Sequence, residues 1–224
     1  MPDNSFLDKG IILGYCFLLD PHHRVCSDYI HSNDLEYYAT EIVQNIYKTK
    51  KDELISRQRA GVLGHIRKVE MNYDEVLSED DIEEIIENID RYNNGAWRYL
   101  EDYYEGLSNV RKYTVTEDLR DVVQDIETLA DNRKDELFSI MMSWIRFDSY
   151  PDLHTEFDDL KREDEEDFYV LLDAHDLGAA TNGRTELATP NPADFASGDI
   201  RERILEHTEI DEVRIVAVSR TSAS

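Results

Sequence analysis

Residues 168–195 constrain the fold more than any other part of the chain. They open with a helical pattern that carries two acids, Asp173 and Asp176, three positions apart and therefore on one face. Asn182-Gly183 ends this helix, and residues 185–189 have the composition of a short buried strand. A helix followed by a buried strand that ends in polar residues is typical of an α/β fold, where ligands gather at the carboxyl ends of strands.

The rest of the chain supplies further elements of such a fold. The sequence predicts strands over residues 5–8, 35–39 and 213–218, and helices over residues 9–19, from 20 onwards, 40–67 and 198–207. Strands that alternate with helices indicate a parallel sheet covered on both faces. We therefore predict a three-layer α/β/α doubly wound parallel sheet, built from residues 1–70 and 163–224.

The intervening residues 71–162 follow a different pattern. Two sets of apolar residues recur at helical spacing, one around Ile82 and Ile85 and the other around Leu119 and Val123. The aromatic side chains between them fall within these apolar faces, which indicates core packing rather than a platform for nucleobases. We predict an inserted helical hairpin of two long amphipathic helices.

The acidic balance bears on where such a protein works. Fifty acids against 24 bases leave a net charge of −26, and such a surface keeps a protein hydrated at very high salt. We expect a halophilic cytoplasm, with an acidic protein that binds a basic partner as the alternative. Pro2-Asp3-Asn4 replaces the basic start of a signal peptide, and the longest apolar run, residues 11–19, is too short to cross a bilayer.

One basic island interrupts this acidity. Between residues 48 and 68 seven bases stand against only two acids. The bases are Lys48, Lys50, Lys51, Arg57, Arg59, Arg67 and Lys68. The island predicts contact with the phosphate backbone of RNA, without any inferred specificity for DNA. An equally weighted alternative is a surface helix whose bases pair with the acidic insert.

Several familiar site motifs are missing from the sequence. It has no Gly-rich phosphate loop, no GxSxG elbow and no CxxC or HExxH pair. A zinc site at His22, His23 and Cys26 is disfavoured because adjacent helical positions diverge by about 100°. Cys16 lies in an apolar run and is expected to be a buried thiol. What remains are carboxylates at the ends of elements, and such groups suit Mg²⁺ or Mn²⁺.

Four segments resemble motifs of the PIN-domain family, in the family's order. Residues 6–15 (FLDKGIILGY) resemble its opening strand and apolar helix, and residues 38–47 (YATEIVQNIY) its second motif. Residues 173–180 (DAHDLGAA) are similar to its late helix, and residues 187–195 (LATPNPADF) to the turn that follows. The insert stands outside the resemblance.

The resemblance implies an endoribonuclease that depends on Mg²⁺ or Mn²⁺, as in the toxins of toxin–antitoxin pairs. Asp8 matches the family's first metal-binding acid and Asp173 its third. At the second and fourth positions Asn45 and Asn191 replace acids. An Asn carbonyl can bind a cation but brings no negative charge, so these replacements weaken metal capture.

Other residues could compensate for the lost acids. Glu41 lies one turn from Asn45, Asp194 lies close to Asn191, and Asp176 is one turn from Asp173. Lys9 stands where the family has a small polar residue, and an ammonium beside Asp8 could take over part of the metal's electrostatic role.

Three functions remain open at this point. The first is a metal-dependent ribonuclease with a shifted set of acids. The second is a PIN-like protein that binds RNA through residues 48–68 without cutting it. The third is a protein-interaction module that works through the inserted hairpin, with a protein partner or as a homodimer.

Overall fold

The computed structural model describes residues 1–32, 34–195 and 198–217, with the side chains of residues 41–44 outside that description. The strands are β1 (Asn4–Leu7), β2 (Glu36–Thr40), β3 (Val76–Leu77), β4 (Val110–Arg111), β5 (Met141–Trp144), β6 (Thr185–Thr189) and β7 (Glu212–Ile215). The helices are α1 (Lys9–Cys16), α2 (His23–Ser32), α3 (Glu41–Asn72), α4 (Glu79–Glu87), α5 (Trp97–Tyr104), α6 (Lys112–Ile140), α7 (Pro151–Glu156), α8 (Asp158–Glu163), α9 (Glu165–Ala180), α10 (Pro192–Phe195) and α11 (Ile200–His207).

The fold is α/β, with a five-stranded parallel sheet in the order β5-β2-β1-β6-β7. The predicted α/β class with a parallel sheet is therefore confirmed, and the arrangement is consistent with three α/β/α layers. From β1 the chain builds outwards through β2 and β5, and it then returns to place β6 on the other side of β1. This reversal between β1 and β6 is the kind of switch point beside which α/β folds bind ligands.

Local sequence explains the two central strands. β1 and β6 are buried along their whole length, as expected for parallel strands covered on both faces. Asp8 ends β1 and caps α1, because its side chain accepts a hydrogen bond from the backbone N–H of Gly10. α1 buries Ile11, Ile12 and Cys16, which confirms the expected buried thiol.

The inserted segment differs from the predicted hairpin of two long helices. The first predicted helix is two short ones, α4 and α5, separated by residues 88–96, whereas the second is the single long helix α6. β3 and β4 form a small antiparallel pair beside them. Ile82, Leu100 and Leu119 are buried in the core, so the apolar faces of the insert are satisfied within the chain.

The sequence pattern did not predict β5. α6 passes directly into this strand, which pairs in parallel with β2 from Tyr37↔Met141 to Thr40↔Trp144. The sheet thus takes an edge strand from within the segment predicted as an insert. Among the helices in the described ranges, none has an apolar stretch long enough to span a bilayer.

Candidate functional site

The carboxyl ends of β1 and β6 meet at Asp8 and Thr189. The Thr189 hydroxyl donates to Asp8 Oδ2 at 2.9 Å, and the Asp8 backbone N–H donates to the carbonyl of Ala188 at 3.0 Å. Gly10 permits the close approach of the following turn, since a Cβ there would lie 2.7 Å from Pro190 Cγ. These contacts hold the Asp8 carboxylate in a fixed, buried position at the switch point.

Burial makes the Asp8 carboxylate costly to ionise. Its pKa is raised to about 7 because the side chain is removed from water and because Asp167 and Asp194 add negative charge nearby. The hydrogen bond from Thr189 and the charge of Lys9 act in the opposite direction. Among the described residues, Asp8 Oδ1 has no hydrogen-bond partner. The site therefore keeps one buried carboxylate oxygen free.

The Lys9 ammonium occupies the centre of the neighbouring acids. Its Nζ lies 3.0 Å from Asp167 Oδ1, 3.1 Å from Glu166 Oε2 and 3.7 Å from Asp164 Oδ2. Although burial alone would lower it, the pKa of Lys9 is raised by its bonds to Asp167 and Glu166, so the ammonium stays charged. A cation is thus built into this edge of the sheet.

Asp167 is the acid whose charge raises the pKa of Asp8 most, and the sequence did not single it out. It lies in the first turn of α9, which Asp164 caps by accepting hydrogen bonds from the backbone N–H groups of Glu166 and Asp167. Its side chain is buried, and burial raises its pKa against the opposing effect of Lys9. The only sequence signal was an acidic run at a helix start, which is common on surfaces.

Asp173 lies further along the same helix and pairs with Arg146. The Nε of Arg146 is 3.5 Å from Asp173 Oδ1, and its guanidinium lies over the ring of Tyr169. Burial raises the pKa of Asp173 to about 6, and Arg146 limits the rise. The charges that act on Asp8 come from other residues. The charges that act on the Asp8 carboxyl are those of Asp167, Lys9 and Asp194, and the charges that act on Asp173 are those of Arg146 and Asp176.

The predicted role of Asp176 in catalysis does not fit its contacts. This buried carboxylate accepts hydrogen bonds from Trp144 Nε1 at 3.0 Å, from the Phe147 backbone N–H at 3.1 Å and from the Tyr150 hydroxyl at 2.7 Å. Both of its oxygens are engaged. Asp176 anchors the segment that follows β5, and it has no free oxygen to replace a lost acid.

The two Asn residues that replace acids lie in different settings. Asn191 donates from Nδ2 to Asp194 Oδ1 at 2.6 Å and accepts the backbone N–H of Ala193, so its amide stabilises the turn after β6. Asp194 is half-buried, and its pKa is raised by burial and by Asp167. Asn45 is exposed on α3, and the side chain of Glu41 lies outside the described residues.

A small cavity lies beside this edge. Its volume is about 240 Å³ and its lining is mostly apolar. Lys9, Thr40, Ile46, Tyr169, Val170 and Asp173 line it. The start of α3 therefore borders the same edge as the acids, although Asn45 itself points to solvent.

The residues at this edge fit a divalent cation poorly. Within the described part of the chain, no group of three or more His, Cys, Asp or Glu side chains is arranged to hold a metal ion. An ammonium sits among the acids, Asp173 is paired with Arg146, and two ligand positions carry Asn. Among the described residues, the Asp8 Oδ1 atom, which is buried and has no hydrogen-bond partner, favours an additional cation.

The basic island divides into paired and unpaired bases. Lys51 binds Asp131 at 2.8 Å and Glu127 at 3.0 Å, both on α6, as the surface-helix alternative predicted. Lys50 pairs with Glu53 at 3.3 Å. Lys48, Arg57, Arg67 and Lys68 are exposed, and Arg59 is half-buried. Exposed bases of the island thus remain for which the described residues show no ion pair, but Lys51 is used within the fold.

Two of these bases border a groove between α3 and residues 88–94. Its volume is about 310 Å³. Arg57 and Lys68 lie at its two ends, with Gly61 and Gly64 between them on the same face of the helix. A Cβ on Gly64 would meet nothing within 4 Å, so neither packing nor a left-handed backbone requires glycine there. Asp90 also lines the groove, but its carboxylate accepts from the local backbone and from Asn93.

Comparisons with known proteins gave no match to this chain. No protein-family model matches it, and neither the curated proteins nor the solved structures contain a match.

Proposed function

We propose that this chain is a PIN-like protein that binds RNA without cutting it. The observation that carries the proposal is the position of the Lys9 ammonium, within 3.7 Å of the carboxylates of Asp164, Glu166 and Asp167. In an enzyme of the implied kind, a divalent cation would balance the acids at this edge. Here a side chain of the protein supplies the positive charge among them, and no hydrolytic step follows from the arrangement.

The charge of Asp173 is also balanced from within the protein. Arg146 pairs with it and stacks on Tyr169, and Asp176 is saturated by the segment after β5. Asp8 Oδ1 has no hydrogen-bond partner among the described residues. These contacts argue against catalysis at the carboxyl edge of the sheet.

The exposed bases of α3 support the RNA-binding part of the proposal. Arg57 and Lys68 are eleven residues apart, which corresponds to about 16 Å along a helix, and they border the groove that Gly61, Gly64 and Asn94 also line. A groove with a cation at each end suits a short single-stranded segment with its phosphates at the two bases. In molar salt the Debye length is about 3 Å, so only such direct contacts would persist.

The test is RNA binding in KCl, measured by fluorescence anisotropy of a labelled single-stranded RNA. We expect affinity to fall as salt rises, and to fall at least tenfold in Arg57→Glu/Lys68→Glu. The matched control is Arg162→Glu/Arg201→Glu, which makes the same change in net charge at exposed bases on α8 and α11. Equal losses in both variants would indicate a general charge effect and contradict the assignment of the groove.

The metal-dependent endoribonuclease implied by the resemblance is the competing function. The free Oδ1 of Asp8 favours it. RNA cleavage by the purified protein in Mn²⁺, lost in Asp8→Asn, would establish that function and refute the proposal of binding without cleavage.

A further inference from the structure

The outer edge of β5 exposes an apolar surface. In the described sheet β5 has a neighbour on one side only. Ile140 is 50% exposed, Met142 42%, Ile145 69% and Phe147 78%. Large apolar side chains scattered singly are normal on a protein surface, but four within eight consecutive residues at a sheet edge form a patch of the kind that marks an interface.

The opposite edge of the sheet is protected in the ordinary way. β7 presents Glu212 and Arg214, which pair at 3.3 Å, and charged side chains on an edge strand oppose pairing with another chain. β5 has no charged residue at all. Residues 139–147 contain one base, Arg146, which Asp173 engages, and no acid. The β7 edge of the sheet is therefore charged and opposes pairing with another chain, whereas the β5 edge is apolar.

The exposed Phe147 is held in place rather than loosely attached. Its backbone N–H donates to Asp176, and its ring packs edge-on against Trp144, with ring centroids 5.5 Å apart. Trp144 is itself fixed by Asp176 and by an edge contact with Tyr38. A rigid aromatic side chain at the surface loses little conformational entropy on binding, which is the property of an interface anchor.

We propose that the β5 edge, defined as residues 140–147, binds a second copy of this chain. The two copies of β5 would pair antiparallel about a two-fold axis and join the two five-stranded sheets into one. The apolar side chains of residues 140–147 would pack against their symmetry mates. This dimer is independent of RNA binding, and it would form through the last residues of the segment predicted as an insert, beyond the buried apolar faces of its helices.

The distribution of charge favours a second copy of the chain as the partner of the β5 edge. Each copy carries −26, so two copies repel wherever their acidic surfaces meet. The β5 edge brings them together through a segment without acids, and high salt screens the rest of the repulsion. A basic partner would need acids in the patch to recognise, and residues 139–147 have none. An antiparallel strand pair with its own copy needs only main-chain groups and apolar side chains.

The test is the mass of the full chain in molar KCl, measured by sedimentation equilibrium over a range of concentrations. We expect twice the chain mass of 26.2 kDa. Met142→Lys/Phe147→Lys should sediment as a monomer with an unchanged circular dichroism spectrum, since both side chains are exposed and the Phe147 N–H remains. Tyr92→Lys/Tyr113→Lys, at side chains 99% and 70% exposed on the insert, is the control matched in charge and should remain dimeric.

A second measurement separates β5 pairing from association through another face. Ser143→Cys places a thiol on the edge strand, while Cys16 and Cys26 are buried. A short thiol crosslinker should convert this variant to a covalent dimer and leave the wild type uncrosslinked. A wild type that stays monomeric at every concentration, a dimer that survives the double Lys substitution, or a Ser143→Cys dimer that resists crosslinking would each overturn the proposal.

Discussion

Replacing Lys9 by Met tests the internal cation directly. Met keeps much of the aliphatic length of Lys9 and removes only the ammonium. Two of the three ion pairs lost involve exposed acids, Asp164 and Glu166, whose side chains are 43% and 61% exposed. Such pairs contribute about 0–1 kcal/mol each, and less in molar KCl.

The pair with Asp167 decides the size of the effect. The side chain of Asp167 is only 5% exposed and that of Lys9 is 23% exposed. Removing one partner from a fully buried pair costs roughly 3–5 kcal/mol, because the other charge stays buried without compensation. Since Lys9 keeps some contact with water, we expect a loss of about 2–3 kcal/mol in the free energy of unfolding near pH 8.

The loss should depend on pH with a definite sign. Burial already raises the pKa of Asp167, and removing Lys9 raises it further. As the pH falls through that pKa, Asp167 takes up a proton and no longer needs a cation. The variant should therefore approach the wild type in stability as the pH is lowered.

Urea unfolding in molar KCl at several pH values measures this, in a double-mutant cycle with Asp167→Asn. We expect a coupling free energy of about 2 kcal/mol between the two positions near pH 8. A coupling below about 0.5 kcal/mol, or a loss that does not change with pH, would refute the assignment of Lys9 as the cation for Asp167. Mn²⁺ should leave the melting temperature of the wild type unchanged.

Three further predictions concern other parts of the fold. Asp8→Asn should raise the free energy of unfolding near pH 8. Because the pKa of Asp8 is about 7 in the folded protein, the stability of the wild type falls as the pH rises from about 4 to about 7. Thermal melts of the variant should show no such fall in melting temperature across this range. Gly64→Ala should raise the free energy of unfolding by about 1 kcal/mol, since its Cβ meets no other atom, and yet weaken RNA binding in the groove; destabilisation in urea would contradict this. Trp144→Phe removes a donor to Asp176 and should cost about 1–2 kcal/mol by urea unfolding, with an unchanged value counting against the anchoring role of Asp176.

Elements with a strong local signal could be recognised from the sequence. β1, β2 and β6 fall within a residue or so of their predicted positions, because a short apolar run between turn residues is a local property. α3 continues to Asn72, five residues beyond the prediction, and α2 begins at His23 after the turn at Pro21. Asp8 was placed correctly at the end of β1 for the same reason.

β5 is a strand that local sequence signals do not predict. Nothing between Ile140 and Met141 marks the end of a helix, and residues 141–144 become a strand because β2 offers its edge to them. In the insert, the helical spacing of apolar residues was read correctly, but the break at Asn93-Asn94-Gly95 divides the first helix into α4 and α5. The sequence of a segment does not by itself predict that the segment will pair with a strand distant in the chain.

The amino-acid sequence alone therefore established the parallel α/β architecture, the acidic surface and the position of Asp8, since each follows from composition or local pattern. Only the tertiary structure decided that Asp167 rather than Asp173 acts on the charge of Asp8, because the two acids are six residues apart, about 120° around α9, and the local pattern does not give which of these directions is turned towards the end of β1. It also brought Arg146 to Asp173 and the ammonium of Lys9 to Asp167, contacts that span 27 and 158 residues of the chain. Such long-range pairs set the charge of the site, and they exist only once the strands have assembled.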